Sequence, residues 1–399
     1  MISLAELDVE GKRVLVRVDF NVPLQDGPDG SQQIADDTRI VAALPTIQQL
    51  RSRGARIVLV SHLGRPKGHD PKLSMAPAAA RLSQLLGIPV KVAPAVVGEQ
   101  VLATSEALQP GEVMLLENVR FEPGETKNDP ELAHALADLA DAYVNDAFGA
   151  AHRAHASTEG VAHLLPHAAG LLLQREVEVL GEILKASQRP LVAVIGGAKV
   201  ADKIGVIDRF LELADVVIVG GAMAFPFLAA RGHEVGSSLC DAEDVEHARL
   251  LLERARCMDG ASFELPVDIV IADGFSAQAQ HRELDGVEVP EGWMGLDIGR
   301  RTAERYGELI AAAGTVFWNG PMGAFELPPF AQGTKAVAQA VARCKGVTVV
   351  GGGDSAAALA KFGLEDAVDH LSTGGGATLE LVEGRRLPGV VALEGAGVR

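Results

Sequence analysis

The chain has 399 residues, 48% of them hydrophobic and 22% charged, with a formal net charge of −17. Such a length implies two domains, the composition excludes a disordered chain, and the acidic balance argues against a nucleic-acid partner. Three cysteines without C-x-x-C spacing, an N-terminus with no apolar stretch and no run long enough to span a bilayer point to a reduced, cytoplasmic protein, with no zinc site and no membrane attachment.

In the first half, β-branched runs at residues 14–18, 57–60, 113–116 and 142–144 alternate with longer Ala- and Leu-rich segments, the rhythm of a parallel βαβ sheet. Polar or cationic residues follow each run. They are Asp19-Phe20-Asn21, Ser61-His62-Leu63-Gly64-Arg65, Glu117-Asn118-Val119-Arg120, and Asn145-Asp146 leading to His152-Arg153. Arg39 joins them from Asp36-Asp37-Thr38-Arg39, which reads as the opening of a helix. Ligands of open α/β sheets sit outside the carboxyl ends of the strands. A lone arginine there is ordinarily solvated or salt-bridged. Four of them (Arg39, Arg65, Arg120 and Arg153) with His62 at one sheet edge fit a small ligand carrying more than one anionic group, because the guanidinium fork matches carboxylate and phosphate. Asp19 and Asn21 are then placed for its hydroxyl. His152 and His155 read as loop packing or phosphate donors, since no carboxylate or cysteine stands at ligand spacing.

Leu173, Val177, Leu180 and Leu184 recur at helical spacing over residues 171–185, with Glu176, Glu178 and Glu182 largely on other faces. The helix is bounded by Pro166 and Pro190 and suits either a surface helix or an interdomain connector. The connector is preferred because a second βα series begins directly after it.

That series has runs at 191–195, 216–219, 267–271, 316–318, 347–350 and near 371. Their exits are glycine-rich: Gly196-Gly197, Gly220-Gly221, Asn319-Gly320-Pro321, Gly351-Gly352-Gly353-Asp354 and Gly374-Gly375-Gly376. One such cluster is a turn, but five at successive strand ends suggest a backbone-lined site for a large, flat group bearing phosphates. Asp354 is placed to hold Mg²⁺ on those phosphates. After Gly196-Gly197 the chain is expected to open a helix on which Lys199 and Lys203, four apart, share a face. Taken alone, that stretch fits a phosphate site and an ordinary βα turn with solvated lysines equally well. The spacing Gly351-x-Gly353-x-x-Ala356 matches a relaxed dinucleotide fingerprint, which keeps an NAD-dependent dehydrogenase as a rival. A non-catalytic sensor of anionic metabolites is a second rival. No G-x-x-x-x-G-K-[ST] occurs, so a P-loop is excluded. An arginine-lined site and a glycine-lined site with two lysines and an aspartate suit phosphoryl transfer between a small polyanion and a nucleoside phosphate.

Over nearly its whole length the chain resembles phosphoglycerate kinases. The residues that carry the resemblance are Arg17-Val18-Asp19-Phe20-Asn21-Val22-Pro23, Asp36-Asp37-Thr38-Arg39-Ile40, Ser61-His62-Leu63-Gly64-Arg65-Pro66 and Glu117-Asn118-Val119-Arg120-Phe121. Asn145-Asp146-Ala147-Phe148-Gly149, Ala151-His152-Arg153-Ala154-His155-Ala156-Ser157, residues 196–203, Trp318-Asn319-Gly320-Pro321-Met322-Gly323, residues 351–354 and Ser372-Thr373-Gly374-Gly375-Gly376 complete it. The resemblance implies reversible transfer of the acyl phosphate of 1,3-bisphosphoglycerate to Mg·ADP, giving 3-phosphoglycerate and ATP, by a monomeric cytosolic enzyme of glycolysis and gluconeogenesis. It implies two doubly wound, Rossmann-like α/β domains with a cleft between them. These would be a phosphoglycerate domain at 1–170, a hinge helix at 171–187 and a nucleotide domain at 188–388, with a tail near 389–399 packed on the first. By the same resemblance Asp19, Asn21, Arg39, His62, Arg65, Arg120 and Arg153 hold phosphoglycerate. Lys203, Gly220, Gly221, Leu296, Glu326, Gly352, Gly353, Asp354 and Ser355 serve the nucleotide, with Asp354 on the magnesium. Arg39, Lys199, Lys203 and Gly375 surround the transferring phosphoryl group. The pattern departs from the family's usual one at Phe225-Pro226, at Arg300, where proline is common, and at Ser355, where threonine is more usual.

Overall fold

The computed structural model of the protein describes residues 1–27, 32–185, 188–258 and 260–394. The chain divides into two compact units, Met1–Glu178 with the described part of Arg386–Arg399, and Val179–Arg385.

In chain order the first unit contains β1 (Arg13–Arg17), an antiparallel pair β2 and β3 (Leu24–Asp26 and Gln32–Ile34), α1 (Thr38–Ser52), β4 (Arg56–Val60), α2 (Ala76–Leu86) and β5 (Val90–Val92). It continues through α3 (Glu99–Glu106), β6 (Val113–Leu115), α4 (Pro130–Ala137), β7 (Ala142–Asn145), β8 (His167–Ala169) and the first turns of α5 (Leu171–Leu184). Its main sheet is parallel throughout, in the order β5-β6-β4-β1-β7-β8. The strands at its centre bury both faces, which is why they read as unbroken apolar runs rather than alternating ones. Val14 and Val16 face one core with Ile40, Ala43, Ile47 and Leu50 of α1, whose spacing of three and four residues makes a single helical stripe. Each fully buried Val, Ile or Leu side chain among them contributes about 1.5–3 kcal/mol. Strand order reverses at β1, with β4 on one side and β7 on the other, so the loops leaving these strands border the natural ligand crevice.

The second unit takes the rest of α5, then β9 (Leu191–Ile195), α6 (Ile204–Leu213), β10 (Val216–Val219), α7 (Ala224–Ala230), α8 (Ala242–Cys257), β11 (Ser262–Glu264), β12 (Ile269–Ala272), β13 (His281–Leu284) and β14 (Met294–Ile298). After these come α9 (Arg300–Ala311), β15 (Thr315–Asn319), α10 (Gln332–Arg343), β16 (Val347–Gly351), α11 (Gly353–Phe362), β17 (His370–Leu371) and α12 (Gly376–Val382). The parallel sheet runs β11-β10-β9-β15-β16-β17 and reverses at β9. The run at 267–271, expected in that sheet, lies elsewhere. It forms β12 at the centre of a separate antiparallel sheet, β13-β12-β14. The strand that continues the parallel sheet is the short β11, whose Ser-Phe-Glu offers little apolar signal.

Helix α5 begins on two buried side chains of the first unit. Thr46 Oγ1 accepts the N–H of Leu171 at 2.9 Å, and Asp146 Oδ1 accepts those of Leu172 and Leu173 at 2.9 and 3.3 Å. These bonds satisfy N–H groups that no preceding turn reaches. Its buried face is Leu173, Glu176, Leu180 and Ile183, so Glu176 turns inward, contrary to the expected polar face, while Val177 and Leu184 are only half-buried. Residues 186 and 187 of the expected hinge lie outside the described residues, as do 395–399 of the expected tail. The short α13 (Pro388–Val391) belongs to the first unit, where Gly389 N donates to the Ala151 carbonyl at 2.9 Å.

Candidate active site

The exits of β1, β4 and β6 converge through side chains that bond to backbone. Asn118, fully buried, accepts the N–H groups of Leu63 and Arg120, each at 3.1 Å, and donates to the carbonyls of Leu63 and Leu73 at 2.8 and 2.9 Å. Ser61 Oγ accepts Phe20 N–H at 2.8 Å, and Asn21 Oδ1 accepts Gly64 N–H at 2.8 Å. These cross-ties hold the three loops in one register. Arg120 Nη1 donates to the Gly64 carbonyl, and Arg39 Nη1 reaches Asp19 Oδ2 at 3.2 Å and the Asn21 carbonyl at 3.1 Å. Asp19, Asn21, Arg39, His62 and Arg120 therefore form one cluster in the first unit. Arg65 is exposed, and its charge is felt at Arg120. Arg153 is also exposed, on the loop after β7, and its Nε contacts His152 Nε2 at 3.1 Å.

Burial works to raise the Asp19 carboxyl, but His62, Arg39 and Arg17 outweigh it and hold the group below its ordinary value. Burial pushes the His62 imidazole down to about 3, against the pull of Asp19 and with the help of Arg17 and Arg120. His62 is thus neutral near pH 7, where Arg39, Arg17 and the Asn21 N–H are the groups that favour the Asp19 carboxylate. Beneath the cluster lies a layer the sequence reading did not assign. Arg17, 1% exposed, donates through Nε to Ser157 Oγ at 2.8 Å, and Ser157 Oγ donates to the buried Glu125 Oε1 at 2.7 Å. The available signal was a charged residue, Arg17, inside an otherwise apolar strand. His155 packs beside Glu125, with Nδ1 3.6 Å from Oε1.

In the second unit the exits of β9, β10 and β15 touch backbone to backbone. Gly196 N donates to Asn319 O at 2.8 Å, Gly197 N to Pro321 O at 3.0 Å and Gly221 N to Met322 O at 3.0 Å. A Cβ on Gly196 would lie 2.1 Å from Pro321 O, and one on Gly220 would lie 2.4 Å from Met322 Sδ. These glycines serve close packing of neighbouring loops, and three of the N–H groups expected to face phosphates are already engaged. The lysine pair is corrected too. Residues 196–200 are not helical; a single 3₁₀ turn at Ala201–Lys203 precedes α6, so Lys199 and Lys203 do not stack on a helix face. Lys199 is exposed, whereas Lys203 folds back to donate to the carbonyls of Gly196 and Asn319 at 2.5 and 3.2 Å. Burial lowers the Lys203 ammonium to about 8, opposed by Asp354 and Asp202.

Gly352, at φ +94°, turns the chain from β16 into α11, with Gly353 and Asp354 exposed in its first turn. Ser355 is fully buried, and its Oγ accepts Gly320 N–H at 2.6 Å, tying α11 to the exit of β15. Gly375, at φ +52°, plays the same turning part before α12. A small apolar pocket is lined by Gly221, Ala224, Phe225, Pro266, Ile269, Leu296, Asp297, Ile298 and Met322. Phe225 closes against Gly295, where a Cβ would lie 2.0 Å from its ring. Glu326 is exposed, on a loop whose Phe325 and Glu326 carbonyls accept from Lys361 Nζ at 2.6 and 3.3 Å. Arg300 opens α9 and gives its N–H to Glu283 Oε1 at 2.6 Å, a bond that a proline there would forgo.

Comparison with known proteins decides which family the chain belongs to. The family described as phosphoglycerate kinase matches residues 4–385. The chain belongs to the phosphoglycerate kinase family. A phosphoglycerate kinase of Moorella thermoacetica is 55% identical over 393 residues, 98% of each chain. One of Roseiflexus sp. (strain RS-1) is 53% identical over 397 residues, 99% of each. Among solved structures, the phosphoglycerate kinase of Coxiella burnetii superposes with a TM-score of 0.87 at 42% identity, covering 98% of both chains. That of Pyrococcus horikoshii OT3 gives 0.87 at 34% identity, covering 99% of this chain and 98% of the other. Phosphoglycerate kinases are phosphotransferases with a carboxyl group as acceptor, and the glycolytic exchange between 1,3-bisphosphoglycerate and ADP is this chain's reaction class. The dehydrogenase and sensor readings are not favoured. Among the described residues no helix is long and apolar enough to cross a membrane.

Proposed function

We propose that the Asp19, Asn21, Arg39, His62, Arg65, Arg120 and Arg153 group holds phosphoglycerate. The observation that carries this reading is the tie of Arg39 to Asp19 and Asn21, at 3.2 and 3.1 Å, beside Arg120. Guanidinium and hydroxyl-binding groups are thereby assembled at one strand edge, and Arg65 and Arg153 remain exposed for further anionic oxygens. Lys203, Gly220, Gly221, Leu296, Glu326, Gly352, Gly353, Asp354 and Ser355 are proposed for the nucleotide. Its base is assigned to the apolar lining around Leu296, which Phe225 narrows against Gly295, and its phosphates to the start of α11. Gly220, Gly221 and Ser355 contribute by shaping the loops, because their polar atoms or the space beside them are already committed.

In the direction of ATP synthesis, a terminal oxygen of ADP attacks the acyl phosphorus. The bond from phosphorus to the carboxyl oxygen breaks, and 3-phosphoglycerate leaves as a carboxylate. Neither nucleophile nor leaving group needs a proton at neutral pH, so no general base is nominated. Arg39, Lys199, Lys203 and the turn at Gly375 are proposed to surround the moving phosphoryl group, where fixed positive charge lowers the barrier. Closure about α5 is the motion proposed to bring donor and acceptor in line and keep water out.

Among the described residues no three His, Cys, Asp or Glu come together as a metal cage. Asp354, a single exposed carboxylate, fits Mg²⁺ of the kind held mainly by phosphate oxygens and water, and the ion would neutralise phosphate charge there. The same reading has the enzyme acting as a cytoplasmic monomer. The test is ATP formation from ADP and 1,3-bisphosphoglycerate, run beside calorimetry with 3-phosphoglycerate, ADP and NAD⁺ separately. Turnover with binding of the first two and none of NAD⁺ is expected; turnover at background with a folded sample overturns the proposal.

A further inference from the structure

Arg17 ends β1 with its side chain enclosed, 1% exposed. A guanidinium has only donors, and here three of them are committed. Nε donates to Ser157 Oγ at 2.8 Å, Nη1 donates to the Val18 carbonyl, and Nη2 faces His62 Nδ1 at 3.1 Å. A ring nitrogen that faces a group unable to accept must itself present a lone pair. The imidazole proton then sits on the other nitrogen, Nε2. We infer that Arg17 is a positioning residue that holds His62 as the neutral Nε2–H tautomer, so that the ring meets an anionic ligand as an N–H donor without charge. The ligand half of this inference rests on the phosphoglycerate reading above.

The charges around His62 favour this arrangement. Asp19, Arg17, Arg120 and Glu125 all act on the ring. Asp19 is the one that would draw a proton to Nδ1, but its Oδ1 stands 3.9 Å away, outside hydrogen-bond range, while Arg17 occupies the nearer place. Burial disfavours the imidazolium further. Arg17 has no freedom to yield. Its partner Ser157 is held by Glu125, which takes the serine hydroxyl at 2.7 Å and its N–H at 3.0 Å. Glu125 is fully buried and balances the guanidinium through the serine between them. A site rich in arginines thus contains a histidine that adds direction rather than charge. That matters because a ring switching between neutral and cationic would make affinity vary across the range in which free histidine titrates.

The test uses the full-length protein labelled with ¹⁵N-histidine, with His62 assigned by loss of its signals in His62→Gln. Long-range ¹H–¹⁵N spectra between about pH 5 and 8 should show the Nε2–H pattern unchanged. An Nδ1–H pattern, or titration with an ordinary midpoint, overturns the inference. In Arg17→Met the ring should titrate or change tautomer. The KM for 3-phosphoglycerate should rise about tenfold, the worth of one hydrogen bond, with kcat nearly unchanged and the affinity newly pH-dependent. Arg17→Lys, which restores one donor, should recover part of the loss. A higher KM in Arg17→Met with the wild-type ring pattern intact overturns the positioning role. If Arg17→Met does not fold, the wild-type spectrum alone decides the tautomer. A wild type that shows the Nε2–H pattern but binds no 3-phosphoglycerate supports the tautomer and overturns the site reading.

Discussion

The ammonium of Lys203 lies 2.5 Å from the carbonyl oxygen of Gly196, seven residues back along its own loop. Together with the bond to Asn319 O, at 3.2 Å, it closes the turn after β9 on the turn after β15. Carbonyl oxygens hold an ammonium by charge-assisted hydrogen bonds but carry no net charge, so they fix the cation without neutralising it, which suits the role proposed for it where negative charge develops. Lys203→Ala is expected to lower kcat by at least about a hundredfold with a modest change in phosphoglycerate affinity. Steady-state kinetics and calorimetry on the same sample check this, and unchanged turnover would remove Lys203 from the reaction.

The same lysine sets a pH limit. Its ammonium, lowered to about 8 by burial, loses its proton as pH rises through that value, and with it the charge proposed to serve the transfer. The kcat/KM for ADP should therefore fall on the alkaline side with an apparent pKa close to 8. Lys203→Arg should move that limb upward. A flat profile to well above that pH would show that the ammonium is not required.

Arg65 is exposed and carries no burial or packing burden, so Arg65→Ala should leave thermal stability within about 0.5 kcal/mol. Affinity for 3-phosphoglycerate should drop about tenfold or more, with ADP affinity unchanged, as for loss of a charged hydrogen bond. Equal loss of both ligands would contradict the division of labour between the two sites.

Glycines that look alike in the sequence should behave differently. Gly221 has φ +70°, and a Cβ there would meet Gly197 N and O and Pro321 O, all at 2.7 Å. Gly221→Ala should cost at least about 2 kcal/mol in the ligand-free protein, from left-handed backbone strain plus displacement of neighbouring backbone. Gly353 has open space at its Cβ position, so Gly353→Ala should stay within about 0.5 kcal/mol and weaken only nucleotide binding. Denaturant unfolding separates the two outcomes.

Asp146, buried at the start of α5, is pushed up to about 7 by burial against the bonds from Thr46, Leu173 and Leu172. The unfolded chain releases this proton near its ordinary value of 3.8 and the folded chain only near 7. The stabilisation from the neutral carboxyl is therefore complete below the lower value and is lost as pH rises through the upper one. Asp146→Asn keeps an oxygen for the Leu172 and Leu173 N–H groups but cannot titrate. It should flatten the dependence of Tm on pH across that interval; an unchanged slope would assign the dependence to other groups.

The order of residues by itself determined that this is a two-series α/β chain with arginine-rich strand exits in one half and glycine-rich exits in the other. Those signals are local. A run of Val, Ile and Leu identifies a buried parallel strand, and the few residues after it fall at the strand exit, so the placing of Asp19, His62 and Arg120 at neighbouring exits was legible one strand at a time. The fold decided whatever depends on partners far apart in the chain. Arg17 bonds to His62 and Ser157, 45 and 140 residues away, and neither contact leaves a periodic trace in the sequence. The run ending at Ile271 looks like its parallel neighbours because burial selects the same residues in either sheet direction, yet it pairs antiparallel with β13 and β14. The glycine clusters were visible, but which of their N–H groups remain available was not. A backbone N–H has one proton to give, and at Gly196, Gly197 and Gly221 a carbonyl of the neighbouring loop takes it.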